Sequence, residues 1–372
     1  MAPGAFSLRG RGPLLNGAAL LLATGGVGAA LLALHLPAAL LLAAIFAGAT
    51  IAALEGDIYL PPASFLIAQA IIGGMIGRVF TGPMLAEIFA QGPLILGSAF
   101  ATILAAGLLG ALLARAGILP GSTPVWGSLP GAATAMTVLA DAHGADMRLV
   151  AFMQYARVLI VALSASLLAR FVAPDAFAGA SPFDGPPTSF GGVAATLALL
   201  GAAAAFGRFT RLPAGVMLAP LAASGVAQAS GLFAVELPTP LLALSYAALG
   251  WTVGLRFTRP LLRHALSALP AILASIVTLQ LLCAGLSLLI ARWAHVDLLT
   301  ALLATSPGGL DAIAIIAVAA KLDLPFIMAA QTARFLLILA IGPRLAKALA
   351  HWAAPPNKSG RDAQNSSQDG LN

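Results

Sequence analysis

Long apolar runs, separated by short stretches that carry prolines and charges, fill most of the chain. Several are close to the roughly 20 residues that an α-helix needs to cross a bilayer, and they are far longer than the strands of a membrane barrel. The pattern predicts an all-α fold, a polytopic transmembrane helical bundle. The predicted spans are 14–34, 37–54, 62–80, 92–114 and 149–172 in a first half, and 190–209, 213–231, 238–257, 266–293 and 326–349 in a second.

Composition leads to the same class of protein. Hydrophobic residues make up 60% of the 372-residue chain and charged residues 9%. A soluble domain carries about 25% charged residues, so the bilayer is the only solvent that suits this chain. The net charge of +6 is expected to come from cytoplasmic loops and not from a nucleic-acid surface. Cys283 lies inside an apolar run and is the single cysteine of the chain, so it has no second cysteine with which to form an intramolecular disulfide.

One stretch of the sequence occurs twice. Residues 130–157 and 307–334 align without a gap after a shift of 177 positions, with nine of 28 residues identical. Four of the identities are alanines, and the other five carry the information. We predict two membrane repeats, 1–172 and 190–350, a linker at 173–189 and a polar, disordered tail at 351–372. The five informative pairs are Pro130/Pro307, Gly131/Gly308, Asp146/Asp323, Gln154/Gln331 and Arg157/Arg334.

Each repeat contains a segment that Pro and Gly interrupt, 123–143 in the first and 300–320 in the second. Unwinding a helix inside a membrane frees N–H groups that suit anions and C=O groups that suit cations. Secondary transporters place such breaks at matching positions of inverted repeats. The alternative is that Pro and Gly only kink helices and allow close packing. We favour the site for the duplicated breaks, and close packing for Gly73, Gly77, Gly250 and Gly254.

The distribution of positive charge favours inverted repeats. If each broken segment enters and leaves on one side, each repeat has five spans, and thirteen arginines and lysines lie on the cytoplasmic side against four outside. If each segment crosses, five arginines of the second repeat move outside, against the positive-inside bias. We predict ten spans plus two broken or re-entrant segments, with both termini cytoplasmic. A crossing broken helix with a compensating change elsewhere also fits.

Two arginines are predicted to lie deep in the membrane. Arg157 and Arg334 fall about nine residues into their helices, roughly 12 Å deep at 1.5 Å per residue, where a charge needs a partner or a cavity. Gln154 and Gln331 lie one turn earlier on the same helix face, so each pair offers a guanidinium fork and an amide to a carboxylate or another oxyanion. The alternative is a structural ion pair, for which Asp311 is the available carboxylate.

Asp311 could instead carry a coupling proton or cation (H+ or Na+), and its equivalent in the first repeat is Thr134. The predicted substrate-binding residues are therefore Pro130, Gly131, Gln154, Arg157, Pro307, Gly308, Gly309, Asp311, Gln331 and Arg334.

The remaining polar residues predict no further chemistry. Asp146 and Asp323 stand a few residues before a helix and suit N-capping. The histidines are scattered without the spacing of metal ligands, so no metal or cofactor is predicted. No Ser-His-Asp arrangement or Gly-rich phosphate loop is present in the sequence, and we expect no enzyme activity.

The duplicated motifs, PGAATAM…GAD…VAFMQYAR and SPGGLDA…KLD…MAAQTAR, resemble those of the AbrB family of bacterial inner-membrane proteins over about residues 14–349. Two positions depart from the family's motif: Ala132 stands where the second copy has Gly309, and Lys321 stands where the first copy has Gly144. Members of the family are described as regulators of gene expression, and many are labelled ammonia monooxygenases. The residues weigh against both as direct activities, because no cytosolic segment is long enough for a DNA-binding domain and no cluster of ligands suits an oxygenase metal.

We predict a secondary transporter of a small anionic solute in the bacterial inner (plasma) membrane. Its expected partners are the lipid bilayer, the solute and a coupling ion, with no direct contact to nucleic acid. The alternative is a membrane protein of the AbrB family that acts indirectly on gene expression. That alternative needs a cytosolic region that binds a partner, for which only the short tail is available.

Overall fold

The computed structural model describes residue 8 and residues 12–36, 38–78, 90–131, 136–137, 140–141, 143–172, 188–210, 215–232 and 234–353. Throughout these residues every regular element is a helix, which confirms the predicted all-α bundle. The helices of this part of the chain are α1 (Pro13–Ala33), α2 (Ala39–Ala53), α3 (Pro62–Gly77), α4 (Gly92–Arg115), α5 (Thr123–Ser128), α6 (Met147–Val172), α7 (Phe190–Phe209), α8 (Gly215–Ala229), α9 (Thr239–Gly254), α10 (Arg259–Ala265), α11 (Leu269–Ala294), α12 (Leu298–Thr305), α13 (Leu310–Ala319) and α14 (Leu324–Ala353).

Six of the described helices are long and apolar enough to cross a membrane, namely α1, α4, α6, α7, α11 and α14. A seventh span arises if α9 and α10, which meet at a bend of 55°, count as one. The chain is therefore a multi-pass membrane protein. Helices α2, α3 and α8 are apolar but contain only 15, 16 and 15 residues. At 1.5 Å per residue they reach about 24 Å at most, short of the roughly 30 Å hydrocarbon core, so the ten-span count stays a prediction.

The helix boundaries repeat with the shift seen in the sequence. Helices α3 and α9 run from 62 to 77 and from 239 to 254, α4 and α11 begin at 92 and 269, and α6 and α14 begin at 147 and 324. Each pair of numbers differs by 177. The predicted linker lies outside the described residues except for 188–189, and the predicted tail does so except for 351–353, which form the end of α14.

Equivalent glycines join the two halves by close helix contacts. Helix α3 packs on α8, and its equivalent α9 packs on α2. A Cβ atom on Gly77 would lie 2.2 Å from the carbonyl oxygen of Leu221, and one on Gly254 would lie 2.3 Å from that of Ile45. These glycines let two backbones touch, which confirms the close-packing interpretation. Because each half offers the same helix to the same partner in the other half, the halves are related by an approximate two-fold axis.

The axis passes near Ala106 of α4 and Cys283 of α11. These two residues are equivalent, 177 positions apart, and they lie in one buried cluster with Leu279. Equivalent residues of two halves approach each other only close to the axis that relates them. The crossing of α4 and α11 therefore lies close to this axis.

Asp146 caps α6 and also links the two halves. Its Oδ1 atom accepts hydrogen bonds from the backbone N–H groups of Arg148 (2.9 Å) and Leu149 (3.1 Å), which confirms the predicted N-cap. Its Oδ2 atom lies 2.7 Å from Nε2 of His264 in α10. Asp323 caps α14 in the same way, by accepting from the N–H of Phe326 at 3.0 Å.

This link predicts a dependence of stability on pH. Burial by itself raises the pKa of Asp146, but the hydrogen bonds from His264 and from the helix N-terminus outweigh it and hold the pKa below its ordinary value. A depressed carboxyl pKa stabilises the fold above the unfolded pKa, about 3.9, and this stabilisation is lost as the pH falls through the folded value. Asp146→Asn should therefore lower the free energy of unfolding near pH 6 and have a much smaller effect near pH 3.

Denaturant unfolding of the two proteins between pH 3 and pH 7 measures that difference. Asp323→Asn is the matched control, because Asp323 caps an equivalent helix and forms no salt bridge with a histidine within the described part of the chain. The Asp323→Asn protein loses a helix cap without losing a histidine contact, so it is the baseline for the cost of Asp146→Asn. A cost of Asp146→Asn that stays constant over the whole pH range would contradict the assignment.

A candidate solute site at two helix breaks

The second break separates α12 from α13. Helix α12 ends at Thr305, and the next four residues, Ser306 to Gly309, are not helical before α13 starts at Leu310. Pro307, which is buried, has no N–H to continue the ladder of hydrogen bonds. The last carbonyl groups of α12 are therefore left without helical partners inside the protein, where no bulk water can satisfy them.

Arg334 and Gln331 of α14 bind those free carbonyl groups. The Nη1 atom of Arg334 donates to the carbonyls of Ser306 and, at 3.5 Å, Thr305, and its Nη2 atom donates to that of Gly308 at 3.2 Å. The amide of Gln331 donates to the carbonyls of Leu303 (2.6 Å) and Ser306 (3.2 Å). The two side chains are joined by a 2.6 Å hydrogen bond from Arg334 Nη2 to Gln331 Oε1.

The first break is held in the same manner by α6. Gln154 donates to the carbonyls of Trp126 (3.2 Å) and Leu129 (3.1 Å), which are equivalent to the two carbonyls that Gln331 binds. Arg157 donates to the carbonyls of Gly127 (3.0 Å), Ser128 (3.2 Å) and Leu129 (3.4 Å), and also to Gln154 Oε1. Pro130 is buried next to these groups in sequence. Most of the segment that follows, including Ala132 and Thr134, lies outside the described residues.

In both halves an arginine therefore stands at the C-terminus of a half-helix. That terminus carries a partial negative charge, which a guanidinium group complements. The two arginines thus cap the C-terminal ends of α5 and α12, a role that was not predicted from the sequence. A salt bridge between Asp311 and either arginine is not formed; the salt bridges of the described residues join Arg259 to Glu55 and His264 to Asp146.

Each break packs against the helix of the opposite half. A Cβ atom on Gly131 would lie 2.8 Å from Ile338 of α14, and one on Gly308 would lie 2.9 Å from Val161 of α6. Ile338 and Val161 are themselves equivalent, 177 positions apart. Gly131 also has a φ of 125°, a conformation that side chains rarely adopt. Gly309 lies at ordinary contact distance from α6. Both breaks are therefore held at the interface between the halves.

The breaks carry positive charge, and the first break also carries unsatisfied donors. Arg157 and Arg334 are 3% and 4% exposed, and they are close enough for their charges to interact with each other. The Nε atom of Arg157, the Nε1 atom of Trp126 and the Oγ atom of Ser128 are buried and have no hydrogen-bond partner among the described residues. Such atoms call for a ligand or water. Sequence reasoning missed Trp126 and Ser128, although their place directly before Pro130 was a usable signal.

Asp311 lies in the first turn of α13, directly after the second break. It is half-buried and hydrogen-bonded to the side chain of Gln69, which comes from α3 of the other half. Sequence reasoning missed Gln69, which is the single amide in the apolar α3 segment PASFLIAQAIIGGMIG. Nine of the ten predicted site residues thus belong to one of the two breaks or contact it, whereas Asp311 follows the second break and faces α3. The described residues contain no group of three His, Cys, Asp or Glu that could hold a metal ion.

Comparison with known proteins gives two matches. The model of a family described as "Transition state regulatory protein AbrB" matches residues 40–350. A protein of Escherichia coli (strain K12) named "Putative regulator AbrB" is 44% identical over 324 residues, which cover 87% of this chain and 93% of that protein. The range that the family model matches runs from α2 into α14, so it includes both breaks and both pairs of glutamine and arginine.

Proposed function

The chain belongs to the AbrB family, and from this premise we propose that it is a secondary transporter of a small anionic solute in the bacterial inner membrane. The observation that carries the proposal is the pair of equivalent helix breaks at the interface between two halves related by a two-fold axis. Each break is fixed to its own half by an arginine and a glutamine, and each packs against the other half. A movement of one half against the other would open this interface to one side of the membrane and then to the other.

Unequal packing of equivalent helices supports such a movement. Helix α4 packs extensively on α14, and a Cβ atom on Gly107 would lie 2.6 Å from Leu349. The equivalent pair, α11 and α6, makes few contacts. A molecule with two similar halves can adopt two alternate states that differ in which of two equivalent helix pairs is closely packed. In the state described here α4 packs on α14. In the other state α11 would pack on α6, and α4 and α14 would move apart. The thirteen-to-four distribution of positive residues supports an inverted arrangement with both termini in the cytoplasm.

The charges at the breaks support an anionic solute. The C-terminus of each half-helix supplies about −0.5 of an elementary charge, which compensates only about half of each guanidinium charge. Neither Arg157 nor Arg334 forms a salt bridge to a carboxylate of the described residues. The donors of Trp126 and Ser128, which have no partner in the described part of the chain, add hydrogen-bonding capacity at the first break. An oxyanion would complement both properties, as anions do at other intramembrane breaks.

The names of the family model and of the Escherichia coli relative suggest gene regulation as the second candidate. On the present proposal that role would be indirect, exerted through the solute that is moved across the membrane. Truncation after Pro355 separates the two candidates. A transporter should keep its activity without the tail, whereas a regulator that acts through the tail should lose it.

Ligand-dependent thermal stability tests the transporter. The purified protein is heated with a panel of organic and inorganic anions, amines and metal ions, and one class of anions should raise its melting temperature. A ligand at 100 times its dissociation constant adds about 2.7 kcal/mol to the folded state. Ser128→Ala removes one of the donors at the first break with little change in volume, Trp126→Phe removes another together with part of the buried ring, and each should reduce that shift.

Ser166→Ala is the matched control. Ser166 is also buried with no hydrogen-bond partner among the described residues, but it lies nine residues beyond Arg157 in α6. This variant should respond to the anion like the wild type. The proposal fails if no anion shifts the melting temperature, or if the shift is the same in Ser128→Ala, Trp126→Phe and Ser166→Ala.

A further inference from the structure

We propose that Asp311, together with Gln69, forms the proton-binding site that couples solute movement to the proton gradient. This inference rests on the proposed transport function and adds to it the chemical identity of the coupling ion. A carboxyl group inside a membrane protein is costly unless it faces a partner or a water-filled path, and such groups mark proton relays. Asp311 lies directly after the second break, in the part of the molecule that the proposed movement opens.

Among the described residues, Asp311 has no positively charged partner. The helices that pack most against α13 are α14, α6, α12 and α3, of which α3 and α12 contain no charged side chain. Helices α14 and α6 bring Arg334 and Arg157, whose Nη atoms are occupied by carbonyl groups of the breaks. The only side chain that interacts with the Asp311 carboxyl in the described part of the chain is Gln69. The other titratable or charged residues of α6 and α14 are Arg148, Tyr155, Arg170, Arg344, Lys347 and His351.

An amide is suited to a carboxyl group that gains and loses a proton. The NH₂ group of Gln69 donates to the ionised carboxylate, and its carbonyl oxygen accepts from the O–H of the protonated acid. Both protonation states of Asp311 therefore have a hydrogen-bond partner after a rotation of the amide. The proton comes from water on one side of the membrane, binds a carboxyl oxygen, and leaves to water on the other side. No bond to the solute is made or broken.

The pair also connects the two moving halves. Gln69 belongs to α3 of the first half and Asp311 to α13 of the second, so a movement between the halves changes their contact. The equivalent positions hold Tyr246 and Thr134, neither of which is an acid. The site is therefore single, and one proton is expected to move per cycle.

Dicyclohexylcarbodiimide, which modifies protonated carboxyl groups in apolar surroundings, tests this site without knowledge of the solute. The purified full-length protein is treated at pH values from 5 to 9, and peptides are analysed by mass spectrometry. Asp311 should be modified at low pH and progressively less at high pH. Asp311→Asn, which preserves the shape of the side chain, should abolish the modification. Gln69→Leu removes the donor to the carboxylate, so modification should persist to higher pH.

A water-soluble carbodiimide provides the control. It should modify Asp323, which is exposed at the start of α14, and leave Asp311 unmodified. The proposal is wrong if Asp311 is not modified at any pH, if Gln69→Leu leaves the pH profile unchanged, or if Na+ at constant pH protects Asp311, since the carboxylate would then hold sodium. Modification of Asp311 as expected, without any anion-dependent stabilisation, would instead show a proton site in a protein that is not an anion transporter.

Discussion

Replacing Arg334 with alanine should lower the free energy of unfolding by at least about 2 kcal/mol, because a buried acceptor that loses its donor costs about 1–3 kcal/mol. The guanidinium group of Arg334 binds carbonyl groups of Thr305, Ser306 and Gly308. In the variant the carbonyl groups of Thr305 and Gly308 would lose this donor, and that of Ser306 would keep only its hydrogen bond from Gln331. Arg157→Ala should behave in the same way at the first break, since its contacts are equivalent.

Chemical denaturation in detergent, with helix content as the signal, measures this loss. The matched control is Arg344→Ala, because Arg344 lies on the same helix ten residues later and is exposed. Exposed substitutions away from special contacts usually change stability by less than about 0.5 kcal/mol. A cost of Arg334→Ala within the range of Arg344→Ala would mean that the carbonyl contacts do not hold the break.

Adding one methyl group to Gly77 should cost about 3 kcal/mol, the upper part of the usual range for overpacking. Its Cβ atom would lie 2.2 Å from the carbonyl oxygen of Leu221 and 2.8 Å from the side chain of Ser224, so α3 and α8 must move apart. Gly254→Ala should have a similar effect, because the equivalent contact is 2.3 Å. The packing of α3 on α8 and of α9 on α2 joins the two halves, so the halves should also come apart more easily in these variants.

Gly201→Ala in α7 is the control for these glycines. Nothing lies within 4 Å of a Cβ atom at Gly201, and alanine is a better helix former than glycine by up to about 1 kcal/mol. The unfolding temperature should therefore fall in Gly77→Ala and Gly254→Ala, and it should stay the same or rise in Gly201→Ala. A loss at Gly201 as large as at Gly77 would mean that the cost does not come from the helix contact.

Much of the fold follows from periodic features of the sequence. The shift of 177 positions predicted two equivalent halves, and apolar run length predicted most of the helices. The predicted span 266–293 begins only three residues before α11. The short α10 was not predicted, because charged and apolar residues mix in its sequence from Arg259 to Ala265 and because its angle to α9 depends on packing against α6.

The candidate site was predicted less completely. The spacing placed Gln154 with Arg157, and Gln331 with Arg334, on one helix face, and the hydrogen bonds between them confirm it. Their targets are backbone carbonyls, which every residue has, so no side-chain pattern reveals them. Asp311 was recognised as an intramembrane acid, whereas Gln69 was not linked to it, since 242 positions separate them and only the packing of α3 on α13 brings them together.

The accessibility of Cys283 tests alternating access most directly. This residue is the only cysteine of the chain, it is buried near the axis between the halves, and it interacts with both Arg157 and Arg334. Oriented membrane vesicles are treated with a membrane-impermeant thiol reagent, first from the outer face and then from the cytoplasmic face, with Cys283→Ser as the unlabelled control. The transporter account predicts that Cys283 is modified from both faces, because the interface opens to each in turn. Modification from one face only, or from neither face while the thiol reacts after unfolding, would contradict it.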